Sequence, residues 1–331
     1  MKGALTRSAV IAANTYREAV RARLLLSLTG LAVIASIYSV FIGALSLRQE
    51  ARDVANIGSF AISAFAVTIA IVLGATSLYR ELELKTVFPI LSRPLERWEY
   101  VVGKYLGTVL TLVVFILMEG GFVLWLLALV TRGGRGADGV LEIASGAPTD
   151  SAMALPLGVG IAFIAVLVGL VIWRKNGIVF ILIPWSAAYF ATMAVLASSA
   201  GVERRVVLGN SLLSLFEGGI VAAIATFFSS FSSPFLTAAF TFGVFLVGRS
   251  ADTLANLPAR VFGEQLKAFG RGLVRIFPNL QLYVPPRPVL QGTLADVSTA
   301  GYIASAAAHS ALYATAILAV AVVLFRRRDF Q

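Results

Sequence analysis

The chain has 331 residues, 58% of them hydrophobic and only 13% charged, with a mean hydropathy of +0.87, a balance that excludes a water-soluble domain and marks an integral membrane protein. With no cysteine and one histidine, His309, disulfide frameworks, thiolate metal centres and His-rich zinc or haem sites are excluded too. The formal charge of +10 is what basic loops beside membrane spans require, and no basic stripe with interleaved aromatics points to nucleic acid.

At the start of the chain, Leu5, Ala9, Ala12, Tyr16, Ala19 and Val20 share one side of a helical wheel, and Arg7, Asn14, Arg17 and Arg21 share the other. Residues 1–23 are expected to form an interfacial helix, apolar side in the headgroups, basic side toward anionic lipid and cytosol. The segment lacks the small-residue cleavage site of a signal peptide and is expected to be retained.

A helix needs about 20 apolar residues to cross the hydrocarbon. By that measure spans are expected near 24–45, 57–78, 101–130, 155–173, 178–200, 206–228, 234–248 and 302–325, eight crossings that return both termini to one side. Lys2, Arg7, Arg17, Arg21, Arg23, Arg80, Lys85, Arg93, Arg97, Lys104, Arg174, Lys175, Arg326, Arg327 and Arg328 fall on that side. Only Arg48, Arg52, Arg132, Arg135, Arg204 and Arg205 fall in the short opposite loops. The excess predicts cytoplasmic termini in a cytoplasmic (inner) membrane, with 251–300 outside.

Between the second and third expected spans, residues 79–107 hold Arg80, Glu81, Glu83, Lys85, Arg93, Glu96, Arg97, Glu99 and Lys104. These charges lose their hydration in hydrocarbon, so the stretch sits in water. Pro89 and Pro94 break it into short pieces. Val87, Phe88, Ile90, Leu91, Leu95 and Trp98 recur among the charges. Two readings stand: a short amphipathic helix along the membrane edge, or a solvated loop with ordinary ion pairs.

Farther along, 131–154 is Gly-rich and carries no binding signature, and the SSFSSP run at 229–234 reads as a turn. The segment 251–300 is punctuated by Pro258, Pro278, Pro285, Pro286, Pro288 and several glycines. Between these breaks Val261, Phe262, Leu266, Phe269, Leu273, Ile276 and Phe277 recur at roughly helical spacing. Either short helices dipping into the membrane edge or a plain external loop fits.

Inside the spans, Glu119 and Glu217 stand out, because a carboxylate in hydrocarbon is costly. Glu119 precedes Gly120 and Gly121, and Glu217 precedes Gly218 and Gly219, which permits close helix approach beside each acid. Either the acids line a path for a cationic or hydrogen-bonding substrate, or they are protonated or paired groups that lock helices together. His309 has no acid beside it in sequence, which favours a packing or hydrogen-bonding role over a proton relay.

Taken in order, Arg80-Glu81-Leu82-Glu83, Thr86, Leu91-Ser92-Arg93-Pro94, Arg97-Trp98-Glu99 and Gly103-Lys104 resemble the coupling segment of the permease subunits of ABC-2 type transporters. The basic amphipathic elbow ahead of the first span, the SSFSSP turn, Pro278-Asn279-Leu280 and the closing FRRRDF agree with that family in order, so the resemblance covers most of the chain. It implies an all-α membrane protein with an elbow helix (1–23), a cytoplasmic coupling segment (79–104) and one permease domain over 1–331. Where the family has six spans, 155–200 departs as an added hairpin. It also implies a dimer with a second, identical or different, permease copy, and a cytosolic ABC ATPase gripping Glu81, Glu83, Thr86, Leu91, Arg93, Pro94, Arg97, Trp98 and Glu99. ATP and Mg would then sit on that ATPase, and this chain would bind no cofactor.

The residues agree independently on the division of labour: nothing has the G-x-x-x-x-G-K-[ST] pattern that cradles phosphates, and Gly103-Lys104-Tyr105-Leu106-Gly107-Thr108 has the wrong order. An intramembrane enzyme is disfavoured by the lone His309 and the lack of a paired Glu-x-x-His pattern. The alternative from another class is an ATP-independent channel or secondary transporter using Glu119 and Glu217.

Overall fold

A computed structural model of the chain describes residues 2–22, 24–46, 49–83, 96–132, 151–173, 178–256, 264–265, 268–273, 277–294 and 296–327. Among them there is helix and no strand. The long elements are α1 (Lys2–Arg21), α2 (Leu24–Leu45), α3 (Glu50–Glu83), α4 (Arg97–Arg132), α5 (Ser151–Trp173), α6 (Ile178–Leu196), α7 (Val202–Ser229) and α8 (Pro234–Arg249). Two one-turn helices, α9 (Ala251–Ala255) and α10 (Arg287–Gln291), precede α11 (Thr299–Arg327). All-α architecture with about eight crossings is therefore what the chain adopts. Seven of the described helices are long and apolar enough to cross a membrane.

The eighth, α8, has 16 residues and is about 24 Å long, short of the roughly 30 Å hydrocarbon core. Pro234 opens it at the first helical turn, where a missing N–H costs nothing. At the other end the chain turns at Ser250 into α9.

α3, α4 and α7 form the core of the bundle, and most of their apolar surface is buried. Small residues let α3 and α7 approach closely: Ala66, Ala70, Ala222 and Ala225 are all fully buried. α5 is the opposite case. It is apolar on every side and leaves Leu155, Ile161, Val166, Val171 and Trp173 exposed, as suits a helix at the lipid edge. It is held to α4 by Trp125, whose Nε1 donates to the Pro156 carbonyl at 2.8 Å. α6 packs more deeply through Trp185, Tyr189 and Met193.

The end of the bundle that carries α1 is called the near end below, and the opposite one the far end. At the far end the described residues 277–294 form a plug that holds short helices. Leu280 and Tyr283 are buried. The Tyr283 hydroxyl donates to the Ala306 carbonyl at 3.2 Å and lies 2.9 Å from His309 Nδ1. Gly248 lies so close beneath the plug that a Cβ there would meet the Pro278 carbonyl oxygen at 2.6 Å. Arg287 of α10 pairs with Glu203 of α7 and reaches Asn56 of α3. The plug thus ties the far ends of α3, α7 and α11. Of the expected helical run in this segment, Val261, Phe262, Leu266 and Ile276 lie outside the described residues.

Candidate functional site

At the near end, α1 lies along the first turns of α4. Arg7 grips Glu99 with two hydrogen bonds, Nε to Oε2 at 2.8 Å and Nη2 to Oε1 at 2.6 Å. This fork is the strong geometry for a guanidinium and a carboxylate. The hydrogen bond to Glu99 raises the Arg7 pKa above its ordinary value, which keeps the cation in place. Ser8 Oγ donates to the Glu99 carbonyl at 3.2 Å.

Two turns of α4 present glycine to α1. A Cβ on Gly103 would meet the Ile11 side chain at 2.7 Å, and one on Gly107 would meet Thr15 Cβ at 2.5 Å. The absent side chains are what let the helices touch backbone to side chain. Lys104, between them, is 2% exposed with its Nζ 3.7 Å from Glu18 Oε2 and 5.9 Å from the centre of the Tyr100 ring. The last helix joins the same group: Arg97 Nη1 donates to the Phe325 carbonyl at 3.1 Å, and Tyr100 stacks on Phe325 at 6.2 Å. A guanidinium at a helix C-terminus also meets the negative end of the helix dipole.

This platform holds three of the expected interface residues. Glu99 is buried against Arg7, Arg97 is committed to α11, and Trp98 donates its Nε1 to the Glu96 carboxylate. Thr86, Leu91, Arg93 and Pro94 lie outside the described residues. Glu81 and Glu83 belong to the last turn of α3, their side chains outside the described set.

The two intramembrane acids are both fully buried, and they keep separate company. Glu217 of α7 receives Arg249 Nη1 on Oε1 at 2.6 Å and Ser63 Oγ on Oε2 at 3.0 Å, while Arg249 Nη2 reaches Ser63 Oγ at 3.3 Å. This triad links α3, α7 and α8. Glu217 stands twelve residues from the end of α7 at Ser229, about 18 Å into the bundle, so Arg249 sits deep and not at a surface. Glu119 of α4 accepts from Ser36 Oγ of α2 at 2.6 Å. Its other oxygen has no hydrogen-bond partner among the described residues. Gly120 and Gly121 beside it receive the rings of Phe190 and Tyr189 of α6.

Arg249, Ser63, Ser36 and Arg7 are the partners that reading along the chain missed. Arg249 stands between the apolar run expected at 234–248 and the segment 251–300 expected outside. The signal that would have found it is the shortness of that run, which leaves its last residue inside the hydrocarbon.

Beside the triad a cavity of about 620 Å3 opens between α3 and α8, walled by Phe60, Ser63, Val67, Thr68, Phe242 and Phe245 with Arg249 at one end. A smaller apolar cavity of about 330 Å3, between α7, α8 and α11, is lined by Phe227, Phe228, Val244 and Tyr313.

A comparison with curated proteins finds no match. Residues 9–330, a stretch that holds every crossing, the glycine seam of α4 and the Glu217–Arg249 pair, match the family described as ABC-2 family transporter protein, and the chain belongs to that family.

Proposed function

We propose that the chain is the permease of an ATP-driven exporter, coupled through residues 79–104 to a separate cytosolic ABC ATPase and paired with a second permease copy. Membership of the family makes the chain a multi-pass ABC transporter permease; direction, coupling and pairing are the proposal. The near end is then cytoplasmic, the membrane is the cytoplasmic (inner) one, and ATP and Mg are held by the partner.

The observation that carries this reading is the near-end platform. The stretch 79–104 joins α3 to α4, and its last residues are fastened to α1 by Glu99 and to α11 by Arg97. Displacement of the stretch by a closing ATPase dimer reaches four helices at once, α3, α4, α1 and α11. A loop that carried no force would need none of these anchors. Differential contact with the ATPase in its two states is what supplies the work. Glu217, engaged by Arg249 and Ser63, is occupied as a helix-linking group, which favours this reading over an ATP-independent ion path.

The test is co-purification. Tagged wild type and an Leu91→Ala, Arg93→Glu variant are extracted in mild detergent, and associated ATPase and its turnover are measured. ATPase that comes with wild type and is lost from a variant of unchanged thermal stability is the expected result. No ATPase with wild type under any mild condition would sink the proposal.

A further inference from the structure

We infer that the cavity between α3 and α8 holds an amphiphile with an anionic, acceptor-rich head, and that Arg249 is the group that grips the head. The inference rests on the permease reading, since it names the class of molecule that the permease would bind.

Three observations converge. First, at about 620 Å3 the cavity has the size of a small-molecule site. Its walls are phenyl rings and aliphatic side chains, with the hydroxyls of Ser63 and Thr68, and Arg249 is the one charged side chain among the described residues that line it. Second, the triad is oriented. Glu217 is 1% exposed on the far side of the guanidinium, while Arg249 is 26% exposed on the cavity side. The pair is a dipole whose positive end faces the cavity. Of the five N–H groups a guanidinium carries, one goes to Glu217 and one to Ser63. Third, a buried ion pair is a weak device for stability, because apolar replacements of similar volume hold helices as well or better. A cation kept at this depth, 5.8 Å from the centre of the Phe245 ring on the cavity wall, is accounted for by what it binds.

The geometry also sets the orientation of the guest. Arg249 ends α8, and Ala238, near the start of α8, lies at the other end of the same cavity together with Val72 of α3. The head lies deep, beside Ser63, and the apolar chain runs along Val67, Phe242 and Phe245 toward the near end. A cationic amphiphile would meet the wrong end of the dipole, and a free anion would leave the apolar walls uncovered.

The test is equilibrium binding to the purified chain in phosphatidylcholine nanodiscs, with protein-free discs subtracted. The probes are dodecyl phosphate, dodecyl glucoside, dodecyltrimethylammonium and inorganic phosphate. Wild type is expected to hold dodecyl phosphate about tenfold or more tighter than the glucoside, the usual effect of a charge-assisted hydrogen bond, and the ammonium and inorganic phosphate weakest. Doping the discs with phosphatidylglycerol separates sources: displacement by it identifies the guest as a bilayer lipid, and no displacement identifies a single-chain ligand, the head chemistry being upheld in both.

Arg249→Gln alone strands Glu217 and risks misfolding, so the decisive variant is Glu217→Gln with Arg249→Gln, which should bind the phosphate and the glucoside within about twofold of each other. Thr68→Phe, which fills the cavity and spares the triad, should weaken both alike. Equal binding of the phosphate and the glucoside by wild type, a preference that survives the double variant, or displacement by inorganic phosphate as strong as by dodecyl phosphate would overturn the inference. Binding is measured without ATPase, so a failed co-purification and a failed head-group preference are separate results.

Discussion

Glu217 and Arg249 show how a charge is kept inside a membrane protein: each is the other's solvent, and Ser63 bonds to both. Removing one partner leaves the other buried and unpaired, which costs about 3–5 kcal/mol. Arg249→Gln is therefore expected to lower unfolding stability in detergent by that amount, and adding Glu217→Gln should restore most of it. A double variant as unstable as the single one would mean that the loss does not come from a stranded Glu217 carboxylate. The acids themselves were legible in the sequence, because a carboxylate in an apolar run is conspicuous. Their partners were not: Ser63 is 154 residues from Glu217 and Ser36 is 83 from Glu119, separations that no local pattern carries.

Among the elements, α1 buries a face rotated from its apolar one. Of the apolar side that the wheel groups, Tyr16 and Ala19 are buried and Leu5 is 68% exposed, while the polar Ser8 and Thr15 are buried as well. The shift has a physical cause. The wheel sorts residues against water and lipid, whereas the surface α1 meets is a row of glycines, Gly103 and Gly107, that accepts Ser8, Ile11 and Thr15. With no native cysteine, this is open to labelling. Cysteine at Leu5 should react with a water-soluble maleimide and cysteine at Thr15 should not. Gly107→Leu should expose the Thr15 position by lifting α1 off α4. If both positions react equally in the otherwise unchanged chain, α1 does not dock as described. The long helices were legible as apolar runs, because apolar length is a direct physical requirement, although α3 starts seven residues ahead of the expected span. The exception is the seventh: the run reads as a span, and α8 is a helix that stops at depth.

For the whole molecule, two knots at opposite ends hold the bundle. The near-end knot joins α1, α4 and α11, and the far-end plug joins α3, α7 and α11, so α11 is the element common to both. The first helix and the end of α11 meet at the near end, where Arg7 holds Glu99 and Arg97 holds the Phe325 carbonyl. Fluorescent or protease-sensitive tags at the two ends should report the same side of sealed vesicles, and tags on opposite sides would remove one crossing from the fold. The count of apolar runs carries the expectation that both termini share a side, and the basic residues carry the choice of side; the knots were not legible, since they arise only where helices distant in sequence are brought side by side.

The grip of Arg7 on Glu99 also imposes an order on assembly. Glu99 follows Arg7 by 92 residues, so at ribosomal speeds of 5–20 residues per second its partner arrives about 5 to 20 s later. Through that interval the first helix of the newborn chain has no groove to occupy. Leu5 and Val10, which the finished fold leaves outside, give it a way to rest in the headgroup layer until α4 emerges. The residues that look misplaced in the mature bundle suit the helix while it waits.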